Sequence, residues 1–268
     1  MVTQEKNILV EREGGLAFVT LNRADKMNPL DWGTVRELRA AAADLERDAE
    51  VAVVVITGAG RSFSAGGDLA GYIRFYRSPG EFRTFLQDFH ALLAAIEASE
   101  KIYIAAVNGF CVAGGLELML ACDLVLAAEG AKIGDGHLNF GQLPGAGGSQ
   151  RLPRAIGVPR AKRLMLSGEL LPARECECIG LVGEVVADAR LLERAREVAA
   201  SLLEKSHSGV KGMKHLVNAG MRGSLEAGLA LELDYVHRYA TTDPDATEGL
   251  LAFAEKRKPA YRKGGGGR

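Results

Sequence analysis

The stretch Ile102-Tyr103-Ile104-Ala105-Ala106-Val107-Asn108-Gly109-Phe110-Cys111-Val112-Ala113-Gly114-Gly115-Leu116-Glu117 reads as a buried strand, a glycine-bearing turn and the start of a helix. Its first six residues are apolar without alternation, as in a strand covered on both faces. The glycines that follow permit positive φ and close approach of the backbone to a ligand. A helix starting near Gly114 leaves its first N–H groups free and carries partial positive charge there, which suits a developing oxyanion. Glycines after strands also make plain turns and helix ends, and a lone Glu on a short helix is usually solvated. Glu117 shifts that balance. It sits inside Leu116, Leu118, Met119, Leu120 and Ala121, where a carboxylate is costly unless it has a partner or a task.

A second stretch upstream has the same grammar. Val51 to Ile56 is an unbroken apolar run ending at Thr57-Gly58, and Ser62-Phe63-Ser64-Ala65-Gly66-Gly67-Asp68-Leu69 follows. If the N–H groups of Gly67 and Gly114 converge, they form a two-donor hole for a carbonyl that becomes an enolate. Such a donor contributes about 2.7 to 4 kcal/mol in a transition state. Glu117, three residues into the helix, shares a face with Gly114 and can project toward the carbon next to that carbonyl.

The rest of the chain fits an α/β fold. Ile8 to Arg12 and Leu16 to Leu21, joined by Gly14-Gly15, read as a hairpin, and Asp31 caps a helix marked by Val35, Leu38, Ala42 and Leu45. Phe82, Phe85, Phe89, Leu92, Leu93 and Ile96 mark a further amphipathic helix, and Leu124 to Ala128 a further strand. Strands separated by helices imply parallel crossovers with the ligand site at strand C-termini. From Leu191 the pattern turns helical, for packing on the core or on a neighbouring subunit. This divides the chain into a core over residues 1–195, with the ligand and catalytic site, and a helical region over 196–268.

The 268 residues carry 33 Lys+Arg against 34 Asp+Glu, a formal net charge of −1, so no global basic field exists for nucleic acid or an anionic membrane. No apolar run is long enough to span a bilayer, and a cytoplasmic location is expected. Cys111, Cys122, Cys176 and Cys178 form no paired CxxC pattern, so reduced structural thiols are expected and no metal site. The stretch Gly145-Ala146-Gly147-Gly148 does not follow a buried strand and no GxxxxGK[ST] occurs, which argues against phosphate-loop chemistry. The Gly264 to Gly267 run reads as a tail.

Taken together these residues resemble the crotonase, or enoyl-CoA hydratase/isomerase, superfamily. The likeness runs through Leu21-Asn22-Arg23 with Asn28, Ala65-Gly66-Gly67-Asp68-Leu69, Ala106-Val107-Asn108-Gly109, Gly114-Gly115-Leu116-Glu117-Leu118 and Cys122-Asp123. It continues through Pro144 to Leu152, Gly180-Leu181-Val182, Glu248-Gly249, Phe253 and Glu255-Lys256-Arg257-Lys258-Pro259. The resemblance implies a spiral of ββα units and a C-terminal helical region that trimerises, often as a dimer of trimers, giving a homotrimer or homohexamer. It implies a coenzyme A thioester as substrate and no prosthetic group. Gly67 and Gly114 match the oxyanion-hole positions, and Ala65, Gly66, Asp68 and Leu69 belong to the loop around the adenine. Lys26 and Lys256 lie where basic side chains meet CoA phosphates, with ordinary solvated lysines as the alternative. Phe253 would border the pocket, with a neighbouring subunit as one possible source.

The departure from the family pattern is informative. Hydratases of this family use two glutamates, one matching Glu117 and one seven residues before the proline of the PGAGG stretch. Counting back from Pro144 gives His137. Imidazole, with an unperturbed pKa of about 6.5, is a competent general acid or base. Hydration of an α,β-unsaturated acyl-CoA is the leading expectation. Double-bond isomerisation by Glu117 and hydrolysis of a thioester or carbon–carbon bond by a His137-activated water are the enzymatic alternatives, and a CoA-binding scaffold without catalysis is the rival from another class. Asp135 either orients His137 or serves as a turn residue between glycines. Tyr72, Phe75 and Tyr76 either line the acyl pocket or pack a surface helix.

Overall fold

In the computed structural model, which describes residues 6–262, the chain opens with β1 (Ile8–Glu13) and β2 (Leu16–Leu21), an antiparallel pair. α1 (Trp32–Arg47) starts where the Asp31 side chain accepts the Thr34 N–H at 2.9 Å. Then come β3 (Val53–Gly58), β4 (Ser62–Ser64), α2 (Leu69–Tyr76), α3 (Pro79–Ala98), β5 (Ile102–Val107), β6 (Phe110–Val112), α4 (Gly114–Leu120), β7 (Leu124–Ala128) and β8 (Lys132–Gly134). A 3-10 turn over His137–Phe140 leads to α5 (Gly148–Ile156), α6 (Val158–Ser167), β9 (Leu171–Pro172), α7 (Ala173–Cys178) and β10 (Glu184–Val186). The chain closes with α8 (Leu191–Leu203), α9 (His207–Gly220), α10 (Leu225–Thr242) and α11 (Pro244–Ala254). The Gly264 to Gly267 run lies outside the described residues.

Two sheets result, one in the order β1-β2-β3-β5-β7-β10 and one in the order β4-β6-β8-β9. Each of β3, β5 and β7 feeds a long strand to the first sheet, and the chain then turns within a few residues to add β4, β6 or β8 to the second. This repeat is the expected ββα spiral. The strand expected from Val51 begins two residues later, because Val51 and Ala52 approach the sheet through bonds to the Asp48 and Gly15 carbonyls.

The unbroken apolar strands are explained by burial of both faces. Val54, Ile56, Tyr103, Ala105 and Val107 face the larger core with α1 and α3. Val53, Val55, Ile102, Ile104 and Ala106 face a second cluster closed by Leu191, Ala195 and Ala199 of α8. The division expected at residues 195/196 thus falls inside a helix that packs on the sheet.

Beyond α8, the Lys214 ammonium on α9 donates to the carbonyls of Ile96 and Lys101 at 2.9 and 2.8 Å and to Asp123 Oδ2 at 2.8 Å. α10 folds back on α9, with Gly228 against Gly220 and Tyr235 against Gly212. No residue of α10 is buried, and Leu225, Leu229, Leu233 and Val236 stand exposed along it. Among the described residues no helix is long and apolar enough to cross a membrane.

Candidate active site

The second sheet matters because its strands end in the loops that carry the candidate residues. β4 runs into Ala65-Gly66-Gly67, and β6 runs into Ala113 and α4. Gly66 has φ +94, and a Cβ there would lie 2.8 Å from Ala113 Cβ and 2.9 Å from the Val112 carbonyl oxygen. Only glycine fits that turn against its neighbour. The turn is fixed from behind: Gly66 N–H donates to Ser64 Oγ at 3.1 Å, and that hydroxyl donates to the Asn28 carbonyl at 2.7 Å.

The Gly66 carbonyl accepts the Leu30 N–H at 2.8 Å, so across the planar trans peptide the Gly67 N–H points the opposite way. The Ala113 carbonyl accepts the Glu117 N–H at 3.0 Å, which turns the Gly114 N–H out of the helix end. Among the described residues neither N–H meets a protein acceptor. The two glycines are neighbours, since a Cβ on Gly114 would lie 3.6 Å from Gly66 Cα and 3.7 Å from Gly67 N. Ala113 holds φ 53 and ψ −118, a conformation costing a non-glycine residue about 1 to 3 kcal/mol and found where function requires a fixed backbone.

Glu117, only 2% exposed, is anchored by one oxygen. Its Oε1 accepts the N–H groups of Ala146 and Gly148 at 2.7 and 2.8 Å. Those donors belong to the Gly145-to-Gly148 stretch at the start of α5, whose importance the sequence reading carried only through the family resemblance. Arg151 holds the stretch in place, donating to the Ala146 carbonyl at 2.8 Å and gripping Glu97 of α3 through two nitrogens at 2.7 and 3.1 Å. Burial pushes the Glu117 carboxyl above the ordinary range, while the Gly148 N–H, His137 and the Ala146 N–H pull it back.

The other oxygen, Oε2, faces His137 Nε2 at 3.9 Å. On the far edge of the ring, Nδ1 lies 3.1 Å from Asp135 Oδ2, out of hydrogen-bonding alignment, and among the described residues neither of those two buried atoms has another protein partner. Asp135 is 1% exposed, and its Oδ1 accepts the His137 backbone N–H at 3.3 Å. Of the two roles left open for it, shaping the turn is shown by that bond; it also faces the imidazole, without a hydrogen bond to the ring. Unpaired polar atoms at this depth call for a functional explanation.

Of the two readings open for the aromatic set, helix packing is the one its contacts show. Phe75 stacks on Phe85 with centroids 5.4 Å apart and meets Trp32 edge-on at 5.9 Å, which is helix packing. Tyr76 donates to Gln142 in the loop after His137, Phe89 lies 3.4 Å from where a Cβ on Gly114 would sit, and the Tyr72 hydroxyl lies against Gly67. These residues wall the site. Lys26 is exposed, and its neighbour Met27 accepts the Ala65 N–H at 2.9 Å, which sets Lys26 beside the loop that also holds Asp68 and Leu69. Phe253 on α11 is 88% exposed, and Lys256 follows it with φ 55. The structure thus brings Gly67, Gly114, Glu117 and His137 together, and α11 packs instead on α9 and α10.

Comparison with known proteins agrees with this arrangement. Residues 11–264 match the family described as enoyl-CoA hydratase/isomerase. A probable enoyl-CoA hydratase of Mycobacterium bovis is 38% identical over 256 residues, covering 96% of this chain and 98% of that protein. Crotonyl-CoA hydratase of Syntrophomonas wolfei is 38% identical over 257 residues, with the same shares covered. The crystal structure of an enoyl-CoA hydratase from Bacillus anthracis matches with a TM-score of 0.89 at 35% identity, over 97% of this chain and all of that one. Matched over nearly its whole length, the chain belongs to the enoyl-CoA hydratase/isomerase family.

Proposed function

We propose that this enzyme adds water across the double bond of an α,β-unsaturated acyl-CoA. The observation that carries the reading is the asymmetry of Glu117, anchored through Oε1 and presenting Oε2 beside His137 Nε2 at 3.9 Å. Oε2 takes a proton from water as the water oxygen bonds to the β-carbon. The π electrons move through the carbonyl carbon onto the thioester oxygen, where the N–H groups of Gly67 and Gly114 hold the enolate charge. The α-carbon then takes a proton from His137 Nε2, and Glu117 returns one to His137, so one water is consumed and both side chains are restored. Asp135 holds the Nδ1 edge so that Nε2 keeps facing the site.

Lys26, Ala65, Gly66, Asp68 and Leu69 bind the CoA portion in this reading. Phe253 and Lys256 join them from a neighbouring subunit in a homotrimer or a dimer of trimers. The exposed apolar stripes on α9 and α10 support the assembly, with Met213 and Val217 on one, continued by Met221 just past its end, and Leu225, Leu229 and Leu233 on the other. Residues 1–195 then carry the chemistry and the region from 196 on carries the assembly, acting on a soluble thioester in the cytoplasm.

The test is mass spectrometry of a 2-enoyl-CoA panel turned over in heavy-oxygen water by the wild type and by His137→Ala. Heavy 3-hydroxyacyl-CoA, reduced about 10²-fold or more in the variant, is the expected result. Isomerised thioester without heavy oxygen, or a heavy free acid with free CoA thiol, would replace hydratase by isomerase or hydrolase.

A further inference from the structure

Tyr72 presents a hydroxyl at the glycine loops that the mechanism above does not use. A Cβ built on Gly67 would lie 2.0 Å from the Tyr72 hydroxyl oxygen, so the hydroxyl occupies the space that a side chain there would fill. That substituent and the Gly67 nitrogen are attached to the same Cα, so the hydroxyl stands beside the backbone that bears the Gly67 N–H. Gly67 therefore meets two requirements at once: a free N–H, and room for a phenol beside it.

The ring is held rather than loose. It packs against Phe82, Phe85, Tyr76 and Phe75 with centroids 6.0, 6.1, 6.2 and 6.5 Å away, the first edge-on and the third stacked. Tyr76, one turn on, spends its hydroxyl on Gln142, whereas among the described residues the Tyr72 hydroxyl has no protein partner, and it is not sealed from solvent. A positioned, unspent donor in a partly dry wall is preorganised for charge that appears only during reaction.

We infer that Tyr72 is a third donor of the oxyanion hole, its O–H binding the thioester oxygen alongside the N–H groups of Gly67 and Gly114 as the enolate forms. Burial, with the Glu117 carboxylate adding to it, pushes the phenol further above its ordinary value, so the hydroxyl stays protonated and acts as donor rather than base. No proton is transferred from it. Its hydrogen bond strengthens as charge gathers on the oxygen, and that difference between ground and transition state is what accelerates a reaction.

This rests on the oxyanion hole of the proposed function, and the test separates the two. Acetoacetyl-CoA is bound to wild type and to Tyr72→Phe, and its enolate is followed by ultraviolet absorbance against pH, a readout needing neither water addition nor His137. With the third donor lost, the enolised fraction at a given pH should fall about ten- to a hundredfold, raising the apparent pKa of the bound thioester by about one to two units, with binding of CoA itself unchanged. In hydration, kcat should fall by a similar factor at unchanged KM. An enolate equilibrium identical in the two proteins overturns the role of Tyr72 and leaves the two-donor hole standing. A wild-type protein that binds the thioester and does not favour its enolate overturns both.

Discussion

Glu117 stands in the middle of α4 and Asp123 just beyond its end, and burial pushes both carboxyls above the ordinary range. Their partners differ. Asp123 Oδ2 receives the Lys214 ammonium and the Tyr103 N–H, each at 2.8 Å, so its charge is matched and the C-terminal helices are tied to the sheet. Glu117 receives two backbone N–H groups on one oxygen and no lysine or arginine; its second oxygen is left facing an imidazole. A carboxylate whose charge is matched by an ammonium serves as a strut. One that is fixed by a single oxygen and left with the other unspent can exchange a proton.

The contrast is broken most sharply at Glu117. Glu117→Gln keeps an acceptor for the Ala146 and Gly148 N–H groups and removes the buried charge. Hydration should fall about 10³- to 10⁴-fold while the midpoint of thermal unfolding stays level or rises. Kinetics beside calorimetry decide it: a variant that loses stability along with activity would make Glu117 a strut like Asp123.

At Asp123 the opposite pattern is expected. Lys214→Ala strands a buried carboxylate and removes the donor to two carbonyls, costing about 3 to 5 kcal/mol in denaturant unfolding. Turnover per folded molecule should not change. Lys214→Met, which keeps the volume, should cost nearly as much, because the loss comes from the unmatched charge rather than from a cavity. Variants as stable as wild type would show that the ion pair carries no stability.

The two carboxylates were not equally legible in the sequence. Glu117 announced itself as a charge within a run of leucines after a glycine turn, and the α4 start, β5 and β7 came out at the expected residues because buried strands leave continuous apolar runs. Asp123 depends on Lys214, 91 residues away, a pairing no local pattern encodes. The strands of the second sheet are two or three residues long and exist through their pairing, so periodicity cannot reveal them. Asp135 between two glycines has the local chemistry of a turn, and only tertiary burial turns it toward His137. Tyr72 was marked only as one of an aromatic set that either lines the acyl pocket or packs a surface helix, with nothing to tie its hydroxyl to Gly67. Its relation to Gly67 needs the helix α2 to fold back over the loop it follows.

The smallest effect expected is in pH dependence, and it distinguishes the two carboxyls without any substitution. Glu117 must be ionised to take a proton from water, and burial outweighs the Gly148 N–H and His137 in setting its titration above the ordinary 4.5 of a glutamate. Hydration, followed as kcat/KM, should therefore be lost as pH falls through a value above 4.5, while protein still folded by circular dichroism persists below that limb. The stability linkage has its own sign. A carboxyl raised in the folded state favours folding most when protonated, below its unfolded value, and that contribution disappears as pH rises through the folded value. Glu117→Gln should then abolish both the acid limb of activity and this share of the pH slope of unfolding free energy, measured together on the same preparations. If the slope remains in the variant while the limb goes, the titration that limits stability belongs to Asp123, and the charge at Glu117 is cheaper to bury than its surroundings suggest.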